Sequence, residues 1–160
     1  MNRRTVSSLM AALLAAALLP VPPAHAKTER LDFVRKERQR NGPDKSIWGA
    51  MARDRDDLRR LWDRYRQTGP LPVIRFRKNV AILAGTRGSS TCPYRLHDLR
   101  LDRDRKRIVA RMYVKDHDEP VACTDDLAPR TFTVAVARAD LKPFRPRELK
   151  VRPRRIDDPT

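Results

Sequence analysis

The residues of this chain whose types could do chemistry are few: two cysteines, three histidines and one run of hydroxyls. The densest stretch is Gly85-Thr-Arg-Gly-Ser-Ser-Thr-Cys-Pro-Tyr-Arg-Leu96. A phosphate-cradling loop would end in Gly-Lys-Ser/Thr and open a helix. Here Gly88 leads into Ser89, Ser90 and Thr91, and the pattern that follows is a strand. A hydrolase elbow reads G-x-S-x-G, which Gly88-Ser-Ser-Thr-Cys92 does not match. A cysteine nucleophile needs a histidine partner, yet His97 lies five residues beyond Cys92, and on a regular strand that spacing points the two to opposite faces. Cys92, His97, His117 and Cys123 are zinc-ligand types, but they lack a paired CxxC or HxxxH unit. Asp116-His117-Asp118-Glu119 could hold a hard cation, but it lacks the alternation and glycine of a calcium loop and runs into Pro120, as a solvated turn does. Asp125-Asp126 reads as a turn or cap. No catalytic, cofactor-binding or metal-ligating set is therefore assigned.

What positions the hydroxyl run depends on the compartment. Arg3 and Arg4 precede an uncharged stretch from Thr5 to Leu19. Prolines break that stretch, and Ala24-His25-Ala26 places small residues where a signal peptidase reads. Residues 1–26 therefore read as a signal peptide cleaved after Ala26, and the apolar run is shorter than the roughly 20 residues a membrane-spanning helix needs. The expected location is secreted or periplasmic, with nothing spanning a membrane. In that setting Cys92 and Cys123 pair most simply as a disulfide. It would close a loop of about 32 residues and contribute roughly 3.7 kcal/mol in the chain-entropy model.

Cleavage removes two arginines and no acid, so the formal charge of +16 falls to +14. A chain this basic is drawn to polyanions such as anionic envelope polymers. Only 8 of the 36 basic residues are lysines, so GC-rich codon usage is the plain alternative. Export also takes the chain away from cytoplasmic nucleic acid, which is not an expected partner.

Residues 27–45 are highly charged and end in Asn41-Gly42-Pro43-Asp44, which predicts a frayed helix or partly disordered basic arm. A single globular domain then occupies 46–141, and 142–160 form a Pro/Arg-rich tail in which Leu149-Lys-Val151 could add an edge strand. Ile47 to Met51 reads as a first strand. Leu58, Leu61, Trp62 and Tyr65 make one apolar helical stripe, with Asp54 as N-cap, acids in the first turn and Gly69-Pro70 as the stop. Beyond the helix the period becomes that of strands: Val73 to Phe76; Val80 to Ala84; His97, Leu99 and Leu101; Ile108, Ala110, Met112 and Val114; and Phe132, Val134 and Val136. Asp102 to Lys106 is the hairpin tip. The fold expected is α+β, a mostly antiparallel sheet of about five strands with one packed amphipathic helix.

Three segments carry a family resemblance: "RDDLRRLW" at 55–62, "VIRFRKNVAILAGTRGSSTCPYRL" at 73–96 and "ACTDDLAPRTFTVAV" at 122–136. Across residues 46–140 their order resembles the small PrcB-type domains of exported bacterial proteins: a helix with Leu-Trp, a strand ending in Gly, a turn, and a later Pro-containing strand. Gly85 and Tyr94 match that pattern. Ser90-Thr91-Cys92-Pro93 stands where the family has Gly-Gly, and Arg75-Phe76 where it has an acid before Phe. The resemblance implies a non-enzymatic accessory domain whose partner is another exported protein, such as a protease. The binding surface expected is a rim stiffened by the disulfide: Arg87, Ser89, Ser90, Thr91, Tyr94, Thr124 and Asp125. In this reading Gly85 ends a strand and Thr86 to Thr91 turn the chain.

Overall fold

The computed structural model describes residues 28–114, 122–142 and 148–154. The signal-peptide reading with Ala26, the acidic turn with His117 and the end of the tail lie outside the described residues. The elements, in order, are β1 (Thr28–Leu31), β2 (Phe33–Gln39), β3 (Ile47–Ala52), α1 (Arg55–Arg64), β4 (Asn79–Gly88), β5 (Tyr94–Asp102), β6 (Arg107–Val114), β7 (Ala128–Ala137) and β8 (Glu148–Arg154). They form two four-stranded sheets, β1-β5-β6-β8 and β2-β7-β4-β3. All neighbours are antiparallel except β6 and β8, which run parallel. Mostly antiparallel sheet with one helix is as expected. The strand count is not, because the two ends of the chain supply three strands.

Strand alternation builds the shared core. Val80, Ile82 and Ala84 of β4, Ile108, Ala110 and Met112 of β6, and Phe132, Val134 and Val136 of β7 all turn into one buried layer between the sheets. On β5 the alternation is broken. Leu96 and Leu99 are three apart and both buried, because a bulge between Leu96 and Asp98 inserts His97 and resets the phase. His97 therefore does not share a face with Leu99 and Leu101, as plain alternation predicts. Each buried Leu, Ile, Val, Phe or Met contributes about 1.5–3 kcal/mol.

The expected basic arm is sheet. Leu31 of β1 reaches the core, Asp32 carries the chain across, and Phe33 of β2 packs on the same layer from the second sheet. Few apolar residues suffice there because each edge strand offers only one face to the core. On the opposite flank β3 comes close to β8. A Cβ on Gly49 would stand 2.8 Å from Val151 Cγ2, so only a glycine lets the two strands approach. The Leu149–Val151 strand expected in the tail is present, and it extends to Arg154.

The helix behaves as the stripe predicts. Asp54 caps it by accepting from Asp57 N at 2.7 Å. Leu58 and Trp62 are buried against Ala52, Ala81 and Leu83 on the outer face of the second sheet. Its stop is earlier than Gly69. Gln67 N donates to Trp62 O (2.9 Å) and Arg66 N to Asp63 O (3.0 Å), the paired bonds of a Schellman end, with Arg66 in the left-handed region at φ 51°. Val73 to Phe76 is not a strand. Leu71, Ile74 and Phe76 instead cover the helix-side core from an irregular segment. Gly85 does not end β4, which runs on to Gly88 beside Ala128 of β7. Gly85 is required for another reason: the Trp48 ring lies flat over it, and Trp48 Nε1 donates to Thr131 Oγ1 at 3.2 Å.

Gly85→Ala is accordingly expected to destabilise the fold by about 1–3 kcal/mol through overpacking against that ring. Urea denaturation should show a lower midpoint with an unchanged slope.

Candidate functional site

The hydroxyl run is a knot tied by two further partners. Cys92 and Cys123 are joined by a disulfide with 5.4 Å between their Cα atoms, and Cys92 is buried. Beside it Ser89 Oγ lies 2.9 Å from Thr91 Oγ1 and 3.0 Å from Thr124 Oγ1, and accepts from Cys92 N at 3.1 Å. Thr124 N donates to Thr91 Oγ1 at 3.0 Å. Asp126 closes the knot: its Oδ1 accepts from Ser90 N at 3.0 Å and from the Thr124 hydroxyl. Those donors, Thr124 first and then Ser90, hold the Asp126 carboxyl below the usual carboxylate range. These hydroxyls are consumed in shaping the turn. The cysteine sulfurs are bonded to each other and are neither nucleophile nor zinc ligand, and no metal-binding group of three or more ligands occurs among the described residues.

Two members of the expected rim lie apart from the knot. Arg87 follows Thr86 on β4 and faces away from the turn. Its Nη2 donates to Asp44 Oδ1 at 3.2 Å, on the helix side of the second sheet. Asp125 is exposed and makes none of the bonds that shape the knot; its neighbour Asp126 makes them. Ser89, Ser90, Thr91, Tyr94 and Thr124 do come together. Tyr94 lies directly over Gly88, where a Cβ would stand 2.6 Å from Cδ2, so this glycine also makes room for an aromatic ring.

What this rim borders was not visible in the hydroxyl run. A groove of about 300 Å³ opens at this end of the sandwich, lined by Ser90, Thr91, Pro93 and Tyr94 on one side and by Arg38, Arg40, Arg95 and Arg130 on the other. Strand geometry explains why arginines converge there. On β7 the inward row reads Val136, Val134, Phe132 and then Arg130. On β2 a bulge between Arg35 and Glu37 puts Arg38 opposite Phe132, so Arg38 and Arg40 continue the same inward side. The apolar layer thus runs out into guanidinium. Arg35 marks the transition: it lies 5.6 Å above the Phe132 ring and reaches Leu96 O at 3.4 Å.

These arginines have no acid partner among the described residues, whereas Arg66 and Arg87 share Asp44 and Arg105 and Arg107 share Asp102. Arg130 Nε is buried without a hydrogen-bond partner among the described residues. Burial disfavours the Arg130 cation, and the neighbouring charges of Arg40 and Arg38 disfavour it further, so its affinity for a proton is lowered. A guanidinium stays charged all the same. The groove is a concentration of positive charge that an anion would relieve.

The outer face of the first sheet is the contrast. Asp98, about 1% exposed, takes a bidentate pair of bonds from Arg111, with Nε at 2.6 Å, and one from Arg100 Nε at 3.3 Å. Burial pushes the Asp98 carboxyl up, but the bonds and charges of Arg111 and Arg100 outweigh this and hold it below the usual range. His97 does meet an acid here, with Nδ1 3.5 Å from Asp98 Oδ2, and its ring stands edge-on to Tyr113. The site is an open sheet face rather than a cleft, and the carboxylate is already committed to two arginines.

Two outcomes follow. Cys92→Ser with Cys123→Ser should cost about 3–4 kcal/mol in chemical denaturation, since the crosslink no longer restrains the unfolded chain. Arg111→Met should cost about 2–3 kcal/mol, since it leaves a buried carboxylate with Arg100 alone. Because the folded pKa of Asp98 lies below its unfolded value near 3.9, the stability it contributes is complete above about pH 4 and is lost as pH falls through the folded value. Carbon-detected NMR titration should place Asp98 below the ordinary range in the native chain and move it upward in Arg111→Met.

Compared with protein-family models, with curated proteins and with solved structures, the chain matches none, so the site is read from its own chemistry.

Proposed function

We propose that this chain is an exported, non-enzymatic binding protein of the bacterial cell envelope, and that its ligand is anionic and docks in the arginine groove beside the disulfide-pinned rim. One observation carries the proposal: Arg38, Arg40 and Arg130 crowd together at the mouth of the sandwich, and none of the three guanidiniums has an ion-pair partner among the described residues, the nearby Glu37 carboxylate accepting from Arg38 N. Arg38 and Arg40 reach solvent and Arg130 is part-buried, so the cost here is the crowding of like charges together with the burial of Arg130 Nε. That cost is offset when a ligand supplies the counter-charge. The compartment follows from the signal-like residues 1–26 and agrees with the disulfide, which suits an oxidising environment. No helix among the described residues is long and apolar enough to cross a membrane. The resemblance to PrcB-type domains points to the same accessory role.

Heparin-affinity chromatography of the mature, oxidised chain tests this. Retention should fall steeply with salt, as it does when counterions are displaced. Arg38→Ala with Arg130→Ala should weaken heparin binding about ten- to hundredfold, at the roughly 1.5–3 kcal/mol that a hydrogen bond to a charged group contributes. Arg130→Met alone should leave folding stability unchanged or raise it, because it removes a desolvated cation. Elution at ordinary salt, or a double variant that elutes with the wild type, would remove the groove from consideration.

A further inference from the structure

Resting on that reading of the groove, we infer that the ligand is a linear chain of phosphate groups, which enters the groove at one end and continues across the open outer face of the first sheet. Arg95 joins the two surfaces. It lines the groove, and its register partner on β6 is Tyr113, which places it on the outward side of β5. Further along this side the strands bring cations level with one another. Arg111 stands opposite Arg152 of β8, Arg30 of β1 opposite Arg100, and Lys150 opposite Val109.

Like charges directly opposite across strands destabilise a sheet. Asp98 answers Arg111 and Arg100, but Arg30, Arg95, Lys150 and Arg152 have no acid partner among the described residues. The helix packs on the other sheet, and no described element lies over this face. The backbone positions that carry these cations are separated by about 5 Å across strands and about 7 Å between alternate residues of one strand. Both distances are within the Debye length of about 8 Å at physiological ionic strength. The cations form a row that runs from the groove through Arg95, Arg111 and Arg152 to Lys150 and stops where Glu148 and Asp102 meet Arg107, and such a row is matched by a ligand whose charge repeats.

The groove itself favours phosphate over carboxylate. A carboxylate offers two oxygens in one plane, which a single guanidinium fork satisfies. Here guanidiniums arrive from the ends of three strands, β2, β7 and β5. Phosphate oxygens splay in several directions and can accept from donors placed all round.

The test uses the mature, disulfide-bonded chain and three probes: inorganic triphosphate, long-chain inorganic polyphosphate and poly-glutamate. Binding is followed by calorimetry across a salt series. Polyphosphate should bind far more tightly than triphosphate, with a steep salt slope. Lys150→Ala with Arg152→Ala should lower that slope by about 1.5, at roughly 0.7–0.9 per lost phosphate contact, while leaving triphosphate binding intact. Arg38→Ala with Arg130→Ala should weaken both probes. Circular dichroism confirms that each variant is folded. If triphosphate binds as tightly as the polymer and the face variant matches wild type, the row is overturned and the groove stands. Equal binding of poly-glutamate overturns the phosphate assignment and again spares the groove. Failure of all three probes, with no effect of the groove variant on heparin, overturns both readings.

Discussion

Two sheets share one apolar layer, and Val80 to Ala84 of β4, Ile108 to Met112 of β6 and Phe132 to Val136 of β7 answer to it through the two-residue period of the strand. The arrangement is rigid in consequence. A residue cannot leave its face without slipping the register of its whole strand and sending its neighbours to solvent. When the inward row of β7 passes from Phe132 to Arg130, the register that buries Phe132 also turns Arg130 inward. The groove is thus a by-product of packing in its geometry and a departure from packing in its chemistry. The same lattice that forms the core aims the cations.

The disulfide and the hydroxyl knot are best understood from the same frame. The β4–β5 connection has to leave the sandwich at the mouth, where strand hydrogen bonds run out. Ser89, Thr91, Thr124 and Asp126 replace them with side-chain bonds, and the crosslink restrains the loop that carries Thr124. This gives the groove one stiff wall. A wall held in this way loses little conformational freedom when a ligand docks, which favours binding.

Much of this was legible in the sequence, and the part that was not has physical causes. The helix and its Asp54 cap, the Asp102–Lys106 hairpin tip and the Cys92–Cys123 pairing follow from periodicity, capping and compartment. The strands at the two ends were hidden because edge strands present one half-face to a core: Leu31 and Phe33 sit in a run of charge that composition alone reads as disordered. Bulges at His97 and between Arg35 and Glu37 shift phase by one residue, a change that no period count registers. Arg130 carried a usable signal, since Arg-x-Phe-x-Val-x-Val is unbroken alternation from 130 to 136 and already places the arginine inward. Arg38 and Arg40 carried none until β2 was paired.

The placement of charge bears on the two explanations of a basic chain. A codon bias fills positions with arginine without regard to face or partner, and folding then tolerates those that reach water or find an acid. Many do find one: Arg111 and Arg100 share Asp98, Arg105 and Arg107 share Asp102, and Arg66 and Arg87 share Asp44. The groove arginines are placed differently. They lie on the inward side, and the charges of Arg38 and Arg40 act on Arg130. Burial and the neighbouring charges of Arg40 and Arg38 both disfavour the Arg130 cation there. Codon bias accounts for how many arginines the chain has. It does not account for three of them crowded together at the mouth of an apolar core, where an anionic ligand would relieve the charge.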